Sequence, residues 1–170
     1  SQELIDPLRG YQAKAMADYA ANELSAQKVA VLYDITDDYS LGVAESFKAE
    51  AEANGLEVVA FESFQSTDTD FKSQLSKIAA ADPDALYVPS YYNTNALIAI
   101  QAKEVGLDAQ LLGADGWDGV LSALDENNKS AVEGVVFTNH FTATDPDAKV
   151  QDFVTRYREA YGSDPSSFAA

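Results

Sequence analysis

The sequence predicts an α/β three-layer sandwich built around a mostly parallel sheet of five strands. Three observations carry this reading. Five short apolar runs alternate with stretches whose apolar residues recur at helical spacing. The first run, residues 29–33 (Val-Ala-Val-Leu-Tyr), is apolar at every position, as expected of a strand covered on both faces. Hydrophobic residues make up 46% and charged residues 23% of the 170 positions, ordinary globular usage and enough for one sizeable core.

Taken in order, Asp6-Pro7 punctuates the start, and Tyr11, Ala15, Tyr19 and Leu24 follow as a helical stripe. Strand one is residues 29–33, followed by a polar loop over 34–40. Val43, Phe47 and Ala51 mark a helix that stops at Asn54-Gly55, a pair suited to a left-handed cap. Residues 57–61 read as strand two. Residues 66–70 supply capping side chains for a helix striped by Phe71, Leu75, Ile78 and Ala79. Asp82-Pro83-Asp84 turns into strand three at 85–88, and the next helix carries Leu97, Gln101, Ala102 and Val105 up to Gly106. Strand four is 110–112. The loop Gly113-Ala114-Asp115-Gly116-Trp117 and a brief helix through Val120 and Leu124 lead to strand five at 134–137. Asp145-Pro146 reads as an N-cap with proline at the first helical position. Val150, Phe153, Val154, Tyr157 and Tyr161 line the last helix, which Gly162 closes.

Charge and composition exclude several function classes. Eleven Lys and Arg stand against 28 Asp and Glu, a formal charge of −17, so nucleic acid and anionic lipid are repelled. Cationic or zwitterionic partners are favoured, although most of the acids serve as a solvated surface. No cysteine and a single histidine, His140, leave no disulfide scaffold, thiolate metal site, cysteine nucleophile or polyhistidine site. The sequence calls for no metal and no cofactor. No apolar stretch is long enough for a transmembrane helix, and Ser1-Gln2-Glu3 opens without the basic and apolar regions of a signal peptide.

Ligands of open parallel sheets sit beyond the carboxyl ends of the strands, and there the unusual residues collect. Asp34, Asp37, Asp38 and Tyr39 follow the first strand, Phe64, Gln65 and Ser66 the second, and Ser90, Tyr91, Tyr92 and Asn93 the third. Asp115 and Trp117 follow the fourth, and His140 and Phe141 the fifth. Aromatic walls with one or two acids suit a small molecule bearing an ammonium group. Each residue also has a plainer reading. Asp34 is first a cap or loop brace, and Tyr39 divides between packing and binding. Of Tyr91 and Tyr92, one ring packs inward and the other faces the cleft if the strand continues. Asp115, between glycines that permit tight turns, reads first as a ligand contact. Trp117 could cap the sheet, and His140 reads as a hydrogen-bonded structural residue.

Enzyme readings lack their motifs. There is no G-x-S-x-G elbow, Walker loop or G-x-G-x-x-G fingerprint. Nothing in the sequence sets a base beside Ser90 to make a Ser90–His140–Asp115 triad. The acidic loop Asp34-Ile35-Thr36-Asp37-Asp38-Tyr39 would repel a flavin phosphate. A phospho-accepting receiver would need Asp after strand three and Lys after strand five, where Ser90 and His140 stand.

Several ordered segments carry a family resemblance. They are Val29-Ala30-Val31-Leu32-Tyr33-Asp34 with Asp38-Tyr39-Ser40-Leu41-Gly42, then Asp70-Phe71, then Asp84-Ala85-Leu86-Tyr87-Val88. Gln101-Ala102-Lys103-Glu104-Val105-Gly106-Leu107, Leu112-Gly113-Ala114-Asp115-Gly116-Trp117 and Glu133-Gly134-Val135-Val136-Phe137 follow. Phe153-Val154-Thr155-Arg156-Tyr157 and Ala160-Tyr161-Gly162 close the series. In this order the chain resembles the C-terminal lobe of a type I periplasmic solute-binding protein of the leucine/isoleucine/valine class, a flavodoxin-like lobe. The resemblance implies that residues 1–170 form one ligand-binding lobe whose partner lobe is absent. It implies a tyrosine at the ligand (Tyr39), an aromatic beside it (Tyr91) and an acid pairing with an α-ammonium (Asp115). With Trp117 these are the expected contact residues. Ser40 departs from the family, which often has glycine there.

The implied function is non-catalytic binding of an amino acid or similar zwitterion for an ABC uptake system, with a membrane permease as partner and a periplasmic or other extracytoplasmic location. Ligand sensing in a receptor or regulator on the same fold is the alternative, and a flavodoxin-like enzyme a more distant one. A lobe alone would expose its cleft face and could self-associate.

Overall fold

The computed structural model describes residues 2–139 and 146–162. The elements run α1 (Gln2–Asn22), β1 (Lys28–Asp34), α2 (Asp38–Ala53), β2 (Glu57–Phe64), α3 (Lys72–Ala81), β3 (Ala85–Val88), α4 (Tyr92–Glu104) and β4 (Gln110–Gly113). Three 3₁₀ turns at Asp115–Trp117, Val120–Ala123 and Lys129–Val132 lead to β5 (Val136–Phe137) and α5 (Ala148–Tyr161). The chain divides into two compact units after Thr138. The first holds the whole sheet.

All strand pairs are parallel, in the order β2-β1-β3-β4-β5. Side chains alternate between faces, as the pleat requires. Val29, Val31, Tyr33, Ala85, Tyr87 and Leu112 pack with α1 and α2, whereas Ala30, Leu32, Leu86 and Val88 pack with α3 and α4. Helices on both faces explain why β1 and β3 read as unbroken apolar runs. On the first face α1 approaches through small residues (Ala13, Ala17 and Ala20, with Met16), and α2 answers with Val43, Ala44, Phe47 and Ala51.

Two helical stripes differ from the sequence expectation. Tyr11 is 72% exposed, and the buried face of α1 runs through 13, 16, 17 and 20. In α4 the buried residues are Asn95, Ala96, Ile98, Ala99 and Ala102, while Leu97 lies outward. Alanine-rich helices offer several registers of comparable apolarity, and packing against neighbours selects one. β2 extends three residues beyond the expected strand, to Phe64. The brief helix through Val120 and Leu124 is a set of 3₁₀ turns. In the second unit α5 is capped by Asp147, whose carboxylate accepts from the Lys149 N–H at 2.8 Å, rather than by Asp145, which lies outside the described residues. Gly162 ends α5 at φ +72°, the left-handed conformation that favours glycine.

At the amino ends of the strands, Asp84 ties three of them together. Its carboxylate accepts from the Gln27 and Lys28 N–H groups at 2.8 and 2.9 Å. Its own N–H donates to Lys28 O, and its carbonyl accepts from Gln110 N–H. The backbone donors of Lys28 and Gln27 hold this carboxyl below its ordinary value of 3.8. A lowered folded-state pKa means that the contribution is complete above the unfolded value and disappears as pH falls through the folded one. Asp84→Ala should therefore lower stability by about 1 kcal/mol at neutral pH, the low end for a charged acceptor in contact with water. In urea denaturation the gap between variant and parent should narrow as pH falls from neutral to below 3.8. An equal gap at both pH values would contradict this clamp.

Candidate functional site

The strand order reverses direction between β1 and β3, because β2 lies to one side of β1 and β4 to the far side of β3. Such a switch point leaves a crevice at the carboxyl ends. Val88 and Gly113, the last residues of β3 and β4, are register partners, so the loops that follow emerge side by side.

Three of the expected residues meet here. Asp37 caps α2, its carboxylate accepting from the Tyr39 and Ser40 N–H groups, which fixes Tyr39 in the first turn. Tyr91 is the N-cap residue of α4. Asp115 opens the 3₁₀ turn after β4. The Tyr39 hydroxyl donates to Asp115 Oδ1, and the rings of Tyr39 and Tyr91 lie 6.1 Å apart at an interplanar angle of 32°. Tyr39 is half-buried against the α1/α2 core, whereas Tyr91 is 43% exposed. Tyr92 begins α4 and packs into the opposite core. One tyrosine thus turns in and the other out, although the strand has already ended and helical geometry replaces the expected alternation.

Trp117 is not brought to them. It is fully buried on the α3/α4 face, and its indole N–H donates to Val88 O at 2.7 Å. With no exposed surface and its polar atom already bonded, it braces β3 against the β4 loop, and we remove it from the contact residues. The glycines around Asp115 serve this brace rather than a tight turn. A Cβ at Gly113 would stand 2.0 Å from the Trp117 ring, and one at Gly116 would stand 2.1 Å from Ser90 O. Ser90 O also accepts from Asn95 Nδ2 at 2.8 Å, which pins the β3 loop that carries Tyr91.

Asp34 takes its plainer role. Buried at the end of β1, its carboxylate accepts from Thr36 N–H at 2.8 Å, Thr36 Oγ1 at 2.6 Å and the Ser66 hydroxyl. Ser40, the departure from the family pattern, is fully buried, and its Oγ accepts from Asp34 N–H at 3.0 Å. The serine therefore fastens the Tyr39 turn to the strand. His140 and Phe141 lie outside the described residues. Among the described residues no cluster of three His, Cys, Asp or Glu could hold a metal ion, and no helix is long and apolar enough to cross a membrane.

Two residues at the site escaped the sequence reading. The Gln12 carboxamide oxygen, from α1, lies 3.0 Å from the Tyr39 hydroxyl and 3.5 Å from the Asp115 N–H. Helical periodicity marks only apolar faces, so nothing distinguished this glutamine from surface polarity. Tyr87 on β3 is fully buried and stacks on Phe47 at 4.2 Å, its hydroxyl without a partner among the described residues. Inside an apolar run it read only as core.

Comparison with known proteins bears on this geometry. The model of a family described as periplasmic binding protein matches residues 6–170. The chain belongs to that family. A Leu/Ile/Val-binding protein homologue of Brucella melitensis is 32% identical over 142 residues, 82% of this chain and 38% of that protein. A leucine-binding protein, LivK, from Thermotoga maritima superposes with a TM-score of 0.83 at 36% identity, covering 95% of this chain and 45% of the other. LivJ from Streptococcus pneumoniae, a branched-chain amino acid transporter substrate-binding protein solved with isoleucine, gives 0.80 at 33%, covering 95% and 46%. The chain thus spans less than half the length of these relatives. The five-stranded parallel α/β lobe expected from the sequence is the fold of this periplasmic binding protein family.

Burial first, then the Asp115 carboxylate, pushes the Tyr39 phenol far above its ordinary value of 10.0. Burial, with the charge of Asp115, does the same to Tyr87. A raised folded-state pKa means that their contribution to stability is complete below pH 10 and is lost as pH rises beyond it, because only the unfolded chain ionises there. In an alkaline titration of tyrosinate absorbance, the native protein should fall short of its nine tyrosines by at least these two until it unfolds. Tyr39→Phe and Tyr87→Phe should leave the native curve unchanged. Loss of native amplitude near pH 10 in either variant would show that its phenol titrates freely.

Proposed function

We propose that this chain is one ligand-binding lobe of a two-lobed solute-binding protein that captures an amino acid or similar zwitterion outside the cytoplasm and delivers it to the permease of an ABC transporter. The observation that carries this reading is the Asp115 carboxylate, oriented by the Tyr39 hydroxyl, with the Tyr91 ring beside that of Tyr39 at the switch point. A carboxylate bordered by π-faces attracts an ammonium group and disfavours an acid that lacks one. The isoleucine in the Streptococcus structure is a molecule of this kind.

The relatives' length supports a second lobe, since each match leaves more than half of the other protein uncovered. In such a protein the second lobe would hold the ligand's carboxylate, and closure would exclude water. Ile35, 50% exposed in the β1–α2 loop, and Tyr91 would then lie under the facing lobe. Left uncovered, they favour self-association. The reading is one of binding without catalysis. An oriented acid beside two phenols suits the holding of a cation.

In the full-length protein, Asp115→Asn keeps an acceptor for Tyr39 and removes the charge. Calorimetry should show amino-acid binding weakened by about 2 to 5 kcal/mol, the cost of leaving a desolvated ammonium unpaired. Unchanged affinity would remove Asp115 from the site.

A further inference from the structure

The contact between Gln12 and Tyr39 poses a question of proton count. The Tyr39 hydroxyl lies within hydrogen-bond reach of Asp115 Oδ1 and, at 3.0 Å, of the Gln12 carboxamide. A phenol has one hydrogen. A carboxylate is the stronger acceptor, because a bond to an ionised group is about twice as strong as one between neutral groups. The hydrogen therefore belongs to the Asp115 contact. If the Gln12 oxygen faced the phenol oxygen, two lone-pair atoms would stand 3.0 Å apart with nothing between them. That orientation would gain only the Asp115 N–H contact at 3.5 Å, at the outer limit of hydrogen bonding. The two ends of a carboxamide have the same shape, and their assignment follows from the bonding network.

We infer that Gln12 presents its Nε2 hydrogens to the Tyr39 oxygen, so that Gln12, Tyr39 and Asp115 form a directed chain of hydrogen bonds ending on the carboxylate. Gln12 is a positioning residue for the ammonium-binding acid. It reaches the site from α1, 27 residues before Tyr39 and 103 before Asp115, so the packing of α1 on α2 is what brings this donor into place. Donation to the phenol oxygen polarises the O–H that faces Asp115, because bonds in such a chain strengthen one another. The carboxylate is then held in one orientation before a ligand arrives. The inference rests on the binding role proposed above as to purpose, but the direction of the chain can be read without any ligand.

The ligand-free test is side-chain amide NMR of Gln12 in the full-length protein. Tyr39→Phe removes the acceptor while keeping the ring. The Gln12 Nε2 resonances should shift, and their hydrogens should exchange faster with water. Unchanged shift and exchange would overturn the inference whether or not an amino acid binds.

The second arm uses amino-acid binding. Gln12→Glu replaces a donor by an acceptor and sets a second negative charge beside Asp115. Affinity should fall about tenfold at pH 8, recover toward pH 5 as the new carboxyl takes up a proton and can donate, and stay nearly level with pH in the parent. Gln12→Leu should show a loss without the pH dependence. If Gln12 instead accepts from Tyr39, Gln12→Glu keeps that bond and binds like the parent at pH 8, which would refute the inference. Failure of the parent itself to bind any amino acid would count against the binding role alone, and the amide NMR would still decide the direction of the chain.

Discussion

A carboxylate at the end of a buried sheet needs donors, and much of this lobe's architecture supports the phenol that faces Asp115. Tyr39 can reach Asp115 because β1 and β4 flank β3, so that the loops after them, with residues 76 apart in sequence, share one crevice. Its turn is fixed from three sides. Asp37 caps the helix, Ser40 accepts from the end of β1, and Asp34 gathers Thr36 and Ser66 beneath the loop. None of these three binds solute in our account. They convert a flexible, acidic loop into a rigid mount, and so the site carries little ordering cost when a ligand arrives.

On the opposite side, the Asp115 turn is held by what is missing as much as by what is present. Gly116 lets the backbone lie against Ser90 O, and Gly113 makes room for the Trp117 ring. The ring in turn bonds to Val88 O at the end of β3. A side chain at either glycine would push the β4 loop away from the β3 loop and separate Asp115 from the tyrosines. The placement of Asp115 beside Tyr39 therefore depends on backbone contacts between the two loops. The net charge of −17 adds a long-range field that draws cations and zwitterions with exposed ammonium groups, and salt weakens it.

The fold was legible because a doubly covered parallel sheet writes itself as apolar runs between amphipathic stretches, and β3 was placed residue for residue. Helix faces were less legible. Alanine-rich α1 and α4 carry little contrast between their sides, so Tyr11 and Leu97 were assigned inward and lie outward. Tyr39, Tyr91 and Asp115 could be singled out because they sit in strand-end loops, where a large or charged residue stands out, and the structure brings the three together. Trp117 stood out for the same reason and proved to be a brace, since residue type and loop position say nothing about which way a side chain turns. Gln12 and Tyr87 could not be found, one hidden among helix polars and the other inside a strand. Only tertiary packing brings them beside the acid.

Recognition of an ammonium group by Asp115 is the central claim, and an isosteric pair of ligands tests it most directly. The full-length protein would be titrated calorimetrically with the amino acid it binds most tightly and with the α-hydroxy acid of the same side chain and chirality. The two keep the carboxylate and the apolar group and differ only in the ammonium. The account predicts that the hydroxy acid binds at least about a hundredfold more weakly, a difference of roughly 2.7 kcal/mol. Equal affinities would mean that the carboxylate held by Tyr39 has no part in choosing the solute.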